Sequence, residues 1–315
     1  MTMTAAPCTF DHDAFVYDSD DGYVEALAPS IGAALQDGRP VVAVVDERHA
    51  SLLRAALGPS AQDVSWVDAV DWYRRPARTI AGYDRTLRST PRGAFVIGEV
   101  QFGSTPHEWA EWTRYEAVLN RVFAHYEAHV VCPYDARVLP GSVVADAERT
   151  HPHMFGRTGR CPSEHYIEPE ALFAAFGPVI AVPGRDPDFV MVDPPSLRAA
   201  RHFFADVAAR AGLAWDNVQE LSVGVSEVLT NARLHGAGAA VMRVWVDDRL
   251  VCVIDDQGIG TDDPLLGLRV PAPTGEGGFG LWYTRQVFDH VDIAAAPEGG
   301  TRVVLASDLP VGARA

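Results

Sequence analysis

Lysine is missing from this sequence altogether: all 26 basic residues are arginine. Chemistries that need a primary amine are excluded with it, namely the P-loop lysine of GK[ST], the strand lysine of eukaryotic-type protein kinases and the Schiff-base lysine of pyridoxal enzymes. Cysteine is scarce as well. Cys8, Cys132, Cys161 and Cys252 lie far apart with no C-x-x-C pair, which argues against a disulfide framework and for a reduced, cytoplasmic protein. No run approaches the roughly 18–20 uninterrupted apolar residues of a spanning helix. Residues 1–10 have neither the basic start nor the apolar stretch of an export signal, so no membrane association is expected. Positive charge is also in deficit, 26 residues against 42 acidic ones, for a net charge of −16. Residues 1–185 and 186–315 each carry −8, so no hidden basic module invites nucleic acid or anionic lipid.

What is present is ample apolar material, 48% of 315 residues, enough for two cores of about 150 residues each. From Phe15 to about Asp135, short apolar runs (FVY at 15–17, PVVAVVD at 40–46, VSWVDA at 64–69, GAFVIGEV at 93–100, HVVCPYD at 129–135) alternate with helical patterns, the signature of an α/β unit with a largely parallel sheet. Trp109, Trp112, Tyr115, Val118, Leu119, Val122 and Phe123 recur at helical spacing and read as a core-facing stripe. Five prolines and two glycines between Phe176 and Pro195 then break the pattern. The domain boundary is placed there, giving domains 1–180 and 181–315. Beyond it the spacing predicts helices over 196–211, 216–235 and 280–289 and two hairpins, 240–246 with 250–255 and 291–296 with 301–307. This is an α+β, two-layer sandwich with helices on one face of a mainly antiparallel sheet.

The second domain carries the polar constellation. On the helix over 216–235, Glu227, Asn231 and His235 follow one another at i, i+4 and i+8 along one edge. A carboxylate one turn from a carboxamide suits a base beside an Mg²⁺ ligand, although a solvated helix face presents the same pattern. Asp256, in the segment DDQGIG at 255–260, ends a strand where a carboxylate can accept the exocyclic amine of adenine, and Gly258 and Gly260 let the chain turn against the base. Gly275-Glu276-Gly277-Gly278-Phe279-Gly280-Leu281 opens a helix whose free N–H groups suit anionic oxygens. Thr301 starts the last strand with a hydroxyl. GEGGFG at 275–280 also satisfies G-x-G-x-x-G, but the loop-like LLGLRVPAPT precedes it rather than the strand a dinucleotide fold requires.

The texts SEVLTNARLHG at 226–236, DDQGIG at 255–260, GGFGLWYTRQVFD at 277–289 and GGT at 299–301 resemble, in order and spacing, the N box and three glycine boxes of the GHKL ATP-binding fold. Within it they resemble the RsbW/SpoIIAB-type anti-sigma serine kinases, the actinobacterial forms especially. The resemblance covers roughly 190–308. It implies Glu227 as general base, Asn231 as Mg²⁺ ligand, Asp256 and Thr301 at adenine, and Gly278, Gly280 and Leu281 at the phosphates. ATP and Mg²⁺ are the implied cofactors; a sigma factor and a STAS-domain anti-anti-sigma protein are the implied partners, and relatives of this type commonly form homodimers. The lid between Gly260 and Gly275 is short and stiffened by Pro264, Pro271 and Pro273. Phe279 stands where relatives often have arginine, and Arg285 offers positive charge unless it is an ordinary helix-surface residue. No phosphoacceptor histidine box is evident; His165 is the nearest approximation.

In the first domain, 10–38 (FDHDAFVYDSDDGYVEALAPSIGAALQDG), HVVCPYDARVLP at 129–140 and RTHPHMFG at 149–156 resemble the MEDS sensory domain, over about 10–175. The implication is a RecA-like sheet without a P-loop, serving as signal input for a small molecule, with His12, Tyr17, Tyr134 and His151 as positions to probe. Metal binding by Cys8 with His12, or by His151 with His153, is disfavoured because neither pair completes four ligands. Cys132, inside an apolar strand, reads as core. The expected function is therefore an ATP/Mg²⁺-binding anti-sigma regulator that phosphorylates a serine of its antagonist. A nucleotide-binding interaction module without phosphoryl transfer, an atypical sensor histidine kinase-like protein and a stand-alone ATPase are the alternatives.

Overall fold

The structure, a computed structural model, describes residues 10–90, 93–157, 159–193, 196–236, 240–261, 263, 265–271 and 278–310. Cys8, Pro264, Pro273 and the glycine-box residues Gly275, Glu276 and Gly277 lie outside them. The chain divides into two compact units, Met1–Ala175 and Phe176–Ala315.

In the first unit the order is β1 (Phe10–Tyr17), α1 (Asp20–Gln36), β2 (Val41–Val45), α2 (Glu47–Leu57), β3 (Val64–Asp68), α3 (Ala69–Trp72), α4 (Pro76–Arg88), β4 (Ala94–Gly98), α5 (Pro106–Val122), β5 (Ala128–Asp135), α6 (Gly141–Thr150), β6 (His153–Gly156), β7 (Gly159–Pro162) and α7 (Pro169–Phe176). The strands form one sheet in the order β3-β2-β4-β5-β1-β6-β7. It is parallel from β3 through β6, with β7 turning back antiparallel. The central strands VVAVV and AFVIG are buried at every residue, as a sheet covered on both faces demands. Local chemistry starts the helices where they start. Ser19 accepts from the Gly22 N–H ahead of Asp20 and Asp21 at the head of α1, and a Thr105–Glu108 capping box with Pro106 opens α5. Phe15, Tyr23, Leu27, Ile31, Leu53, Phe95 and Ile97 fill one face.

The second unit contains β8 (Phe189–Val192), α8 (Leu197–Arg210), α9 (Trp215–His235), β9 (Ala240–Val246), β10 (Arg249–Asp256), α10 (Phe279–Val287), β11 (His290–Ala295) and β12 (Thr301–Asp308). The sheet order is β11-β12-β10-β9-β8, antiparallel throughout. Alternation along β10 sends Cys252 and Ile254 into the helix-side core with Phe204, Leu221, Val225, Leu229 and Phe288. Val251 and Val253 turn to the other face, where Ile180 and Trp245 cover them. The proline-interrupted segment is thus more than a linker. Ile180 N–H donates to Asp292 (2.7 Å), Trp245 Nε1 donates to the Arg185 carbonyl (3.0 Å), and the segment ends in β8, an edge strand that the sequence pattern did not announce.

Candidate functional site

Between α9, α10 and the strand ends of the second unit lies a cleft of about 400 Å³, within the usual range for small-molecule sites. Its polar lining includes Asn231 and His235 from α9, Asp256 at the end of β10, and Thr301 at the start of β12; Gly260, Gly278, Gly280 and Leu281 also border it. Ile254, Ile293 and Val303 supply an apolar wall suited to a flat ring. This wall comes from ordinary strand alternation and was not singled out from the sequence.

Asp256 is held by the backbone: its Oδ1 accepts from Gly258 N–H and Thr301 N–H, both at 2.9 Å. Among the described residues no hydrogen bond engages Oδ2, which leaves an oriented acceptor for the cleft. The adjoining chain has no room for larger residues. Gly300 has φ +87°, and a Cβ there would sit 2.2 Å from the Asp256 carbonyl oxygen. Gly258 packs on the His235 carbonyl; it shapes the turn without lining the cleft.

Glu227 lies one turn before Asn231 and is half-buried. Its Oε2 rests so close to Gly280 that a Cβ on that residue would lie 2.5 Å away. The carboxylate therefore meets the first turn of α10 at the margin of the cleft. Burial and the negative charges of Glu220 and Glu227 push the Tyr283 phenol up. Gly278 is the left-handed N-cap of α10 (φ +80°), and no described residue other than its chain neighbours lies within 4 Å of where its Cβ would stand. The N–H groups of that nine-residue helix's first turn offer partial positive charge to an anion.

Arg285 does not supply a free cation here. Its Nε donates to the Leu266 carbonyl and its NH1 to the Val291 carbonyl, each at 2.9 Å. Phe279 is 59% exposed and packs beside Trp282 and Tyr283. Among the described residues lining the cleft there is no arginine.

The probe positions of the first unit separate into two places. Tyr17 Oη lies 3.1 Å from His49 Nε2, at the end of β1. His12, Tyr134 and His151 lie on the opposite face of the sheet, with Glu116 and Cys132 among them. His153 is directed elsewhere, hydrogen-bonding the Arg160 guanidinium.

Residues 11–152 match the family MEDS, the methanogen/methylotroph, DcmR sensory domain. Residues 190–306 match the histidine kinase-like ATPase domain. Among curated proteins, serine-protein kinase RsbW of Bacillus velezensis is 30% identical over 118 residues, which is 33% of this chain and 74% of that protein. The protein of the same name from Bacillus subtilis gives the same identity and coverage. That from Bacillus licheniformis is 32% identical over 101 residues, 28% of this chain and 63% of that protein. All these segments are short enough to fall within one of the two units.

Proposed function

The chain belongs to the family of serine-protein kinase RsbW, and from that premise we propose that it is an ATP- and Mg²⁺-binding anti-sigma regulator with serine kinase activity. It exchanges a sigma factor for a STAS-type antagonist and takes its signal through the MEDS unit. The observation that carries this reading is the convergence of Asn231, Asp256, Thr301 and the N-terminus of α10 on one cleft.

The residues present fit a purine nucleotide. Asp256 Oδ2 is the acceptor for an exocyclic amine, the apolar wall takes the ring, and the glycines let backbone approach where a side chain would clash. Asn231 would hold Mg²⁺ through its carboxamide oxygen, since this ion takes one or two protein oxygens together with phosphate oxygens and water. When bound, ATP with Mg²⁺ supplies the transferable phosphoryl group. The first N–H groups of α10, at Gly280 and Leu281, face anionic oxygens and favour negative charge there. Glu227, at the cleft margin, takes the proton of an incoming serine hydroxyl.

A binding module without phosphoryl transfer is the second reading. It is favoured by Phe279 in place of a cation at the head of α10 and by Arg285 being committed to carbonyls. One assay separates the two: purified chain, radiolabelled ATP and each STAS protein of the source genome. Label on a partner serine, lost with Glu227→Ala, supports the kinase. Nucleotide binding without label on any partner supports the module.

A further inference from the structure

Four side chains from separate places in the first unit meet in its interior. His12 of β1, Glu116 of α5, Cys132 of β5 and His151 at the end of α6 are 1, 0, 2 and 0% exposed. One ligand-type atom from each lies within 4.8 Å of all the others. His12 Nε2 is 3.0 Å from Glu116 Oε2 and 3.4 Å from Cys132 Sγ, and His151 Nε2 is 3.3 Å from the same carboxylate oxygen.

The outward side of each ring fixes where its hydrogen sits. Asn120 Nδ2 donates to the Thr150 carbonyl (2.8 Å), so its Oδ1, 3.2 Å from His12 Nδ1, is an acceptor. His151 Nδ1 faces the Ala147 carbonyl at 2.9 Å. Both Nδ1 atoms therefore donate outward, and in neutral rings both Nε2 lone pairs point inward at a carboxylate. Acceptors facing acceptors repel. A single imidazolium would pair with the carboxylate but leave the other ring's Nε2 lone pair facing it, and two would bury a net positive charge, which a low-dielectric interior disfavours. Among the described residues, Glu116 Oε1 and Oε2 and His151 Nε2 have no hydrogen-bond partner.

We propose that His12, Glu116, Cys132 and His151 bind one divalent transition-metal ion of the zinc class within the MEDS unit. A thiolate and a carboxylate balance the double positive charge, so the loaded site is neutral. Two imidazole nitrogens, a sulfur and a single oxygen form a borderline donor set suited to zinc and unlike the oxygen shells of Mg²⁺ and Ca²⁺. Tetrahedral bonds of about 2.0–2.3 Å place ligand atoms about 3.3–3.8 Å apart, a spacing that small side-chain shifts reach from the contacts above. The outward Nδ1–H bonds to Asn120 and Ala147 are the supports that metal-bound imidazoles ordinarily have. With four protein ligands, the site is closed and ties β1, α5 and β5 to the residue that caps α6. It requires no nucleotide and is independent of the kinase reading.

The test uses untagged full-length chain, loaded with Zn²⁺ or Co²⁺, desalted and assayed for bound metal. About one equivalent is expected per chain, and the cobalt form is expected to show intense four-coordinate visible bands with a thiolate-to-cobalt band in the near ultraviolet. Cys132→Ser should abolish the thiolate band, His151→Ala, which removes a ligand, should lower affinity by more than the ~10–100-fold typical of losing an outer-shell partner, and Cys161→Ser, at an exposed cysteine, should change neither. A wild-type chain that keeps no metal, or a thiolate band that survives Cys132→Ser, overturns the assignment. Should Cys132→Ser not fold, the wild-type cobalt titration decides: a one-to-one end point with a thiolate band, displaced by one equivalent of zinc, supports the site, and a weak six-coordinate spectrum overturns it.

Discussion

Asp255 and Asp256 are consecutive on β10 yet serve opposite faces of the sheet. Asp255 is clamped by Arg243 NH1 (2.7 Å) and by Arg302 through Nε and NH2 (2.6 and 2.7 Å). Asp256 turns to the cleft and is held by two backbone N–H groups. Asparagine at 256 can still accept both of those bonds, but its NH₂ then faces the cleft where an acceptor stood. Asp256→Asn should therefore leave the thermal midpoint within a few degrees of wild type and weaken adenine nucleotide binding by about 30–100-fold, on the order of 2–3 kcal/mol. Asp255→Asn should do the reverse, lowering stability with little change in affinity. Calorimetric titration and thermal melts of both variants check the assignment; an unchanged affinity in Asp256→Asn would remove adenine from this site.

Gly280 and Glu227 are coupled by contact. An added methyl on Gly280 meets the free end of Glu227, 2.5 Å from its Oε2, so the side chain gives way and the backbone does not. Gly280→Ala should consequently keep the fold, displace the carboxylate and reduce phosphate transfer by about 10²-fold, the usual worth of a positioned proton acceptor. Glu227→Ala should lose transfer to a similar degree while retaining nucleotide. Single-turnover transfer measured beside nucleotide affinity tells the two effects apart; full transfer by Gly280→Ala would place the base elsewhere.

His49 gives the first unit a pH dependence whose sign can be worked out. Burial alone would lower its pKa, but the Glu99 carboxylate 2.9 Å from Nδ1, reinforced by Asp46 and opposed by Arg48, raises it above the ordinary 6.5. A raised folded value means that the protonated ring stabilises the unit fully below pH 6.5 and that this contribution fades as the pH climbs through the folded value. Glu99→Gln leaves burial in command, so the dependence should change sign, with stability now falling on acidification past 6.5. Ring-proton NMR titration of His49 and thermal melts between pH 5.5 and 8.5 check both statements.

The alternation of apolar and polar residues made the hairpins and α9 legible, and with them the two-layer sandwich, because each strand buries one face and each helix one stripe. Within the cleft, Asn231, Asp256, Gly278, Gly280 and Thr301 were visible as short motifs. Three things were not. β8 hides in FVMV beside prolines, because an edge strand of four residues carries too little pattern. Ile180 covers the outer face of the sheet through a contact no local rule encodes. The buried set of His12, Glu116, Cys132 and His151 is assembled from β1, α5, β5 and α6, so no ligand spacing exists in the sequence to be read. The β1–β5 pairing, with Ala14 beside Cys132, brings His12 and Cys132 to one face.

Arg285 was the sequence's candidate for charge at the phosphates, and its hydrogen bonds assign it another task. By joining the Leu266 carbonyl to that of Val291 it ties the segment after Gly260 to β11, while Gly267 packs against the Leu281 backbone. Removing the guanidinium exposes both carbonyls to water and forfeits two charge-assisted bonds, about 2 kcal/mol in total after solvent competition. Arg285→Ala should therefore lower the thermal midpoint and speed hydrogen exchange at the Leu268 N–H, which donates to the Leu265 carbonyl in the same segment. Nucleotide affinity should fall by less than tenfold, through loosening of the Leu266 and Gly267 wall. A variant with unchanged exchange at Leu268 and affinity reduced by about 100-fold or more would instead mean that the guanidinium leaves these carbonyls for the ligand, because a direct contact to a charged phosphate is worth about that much.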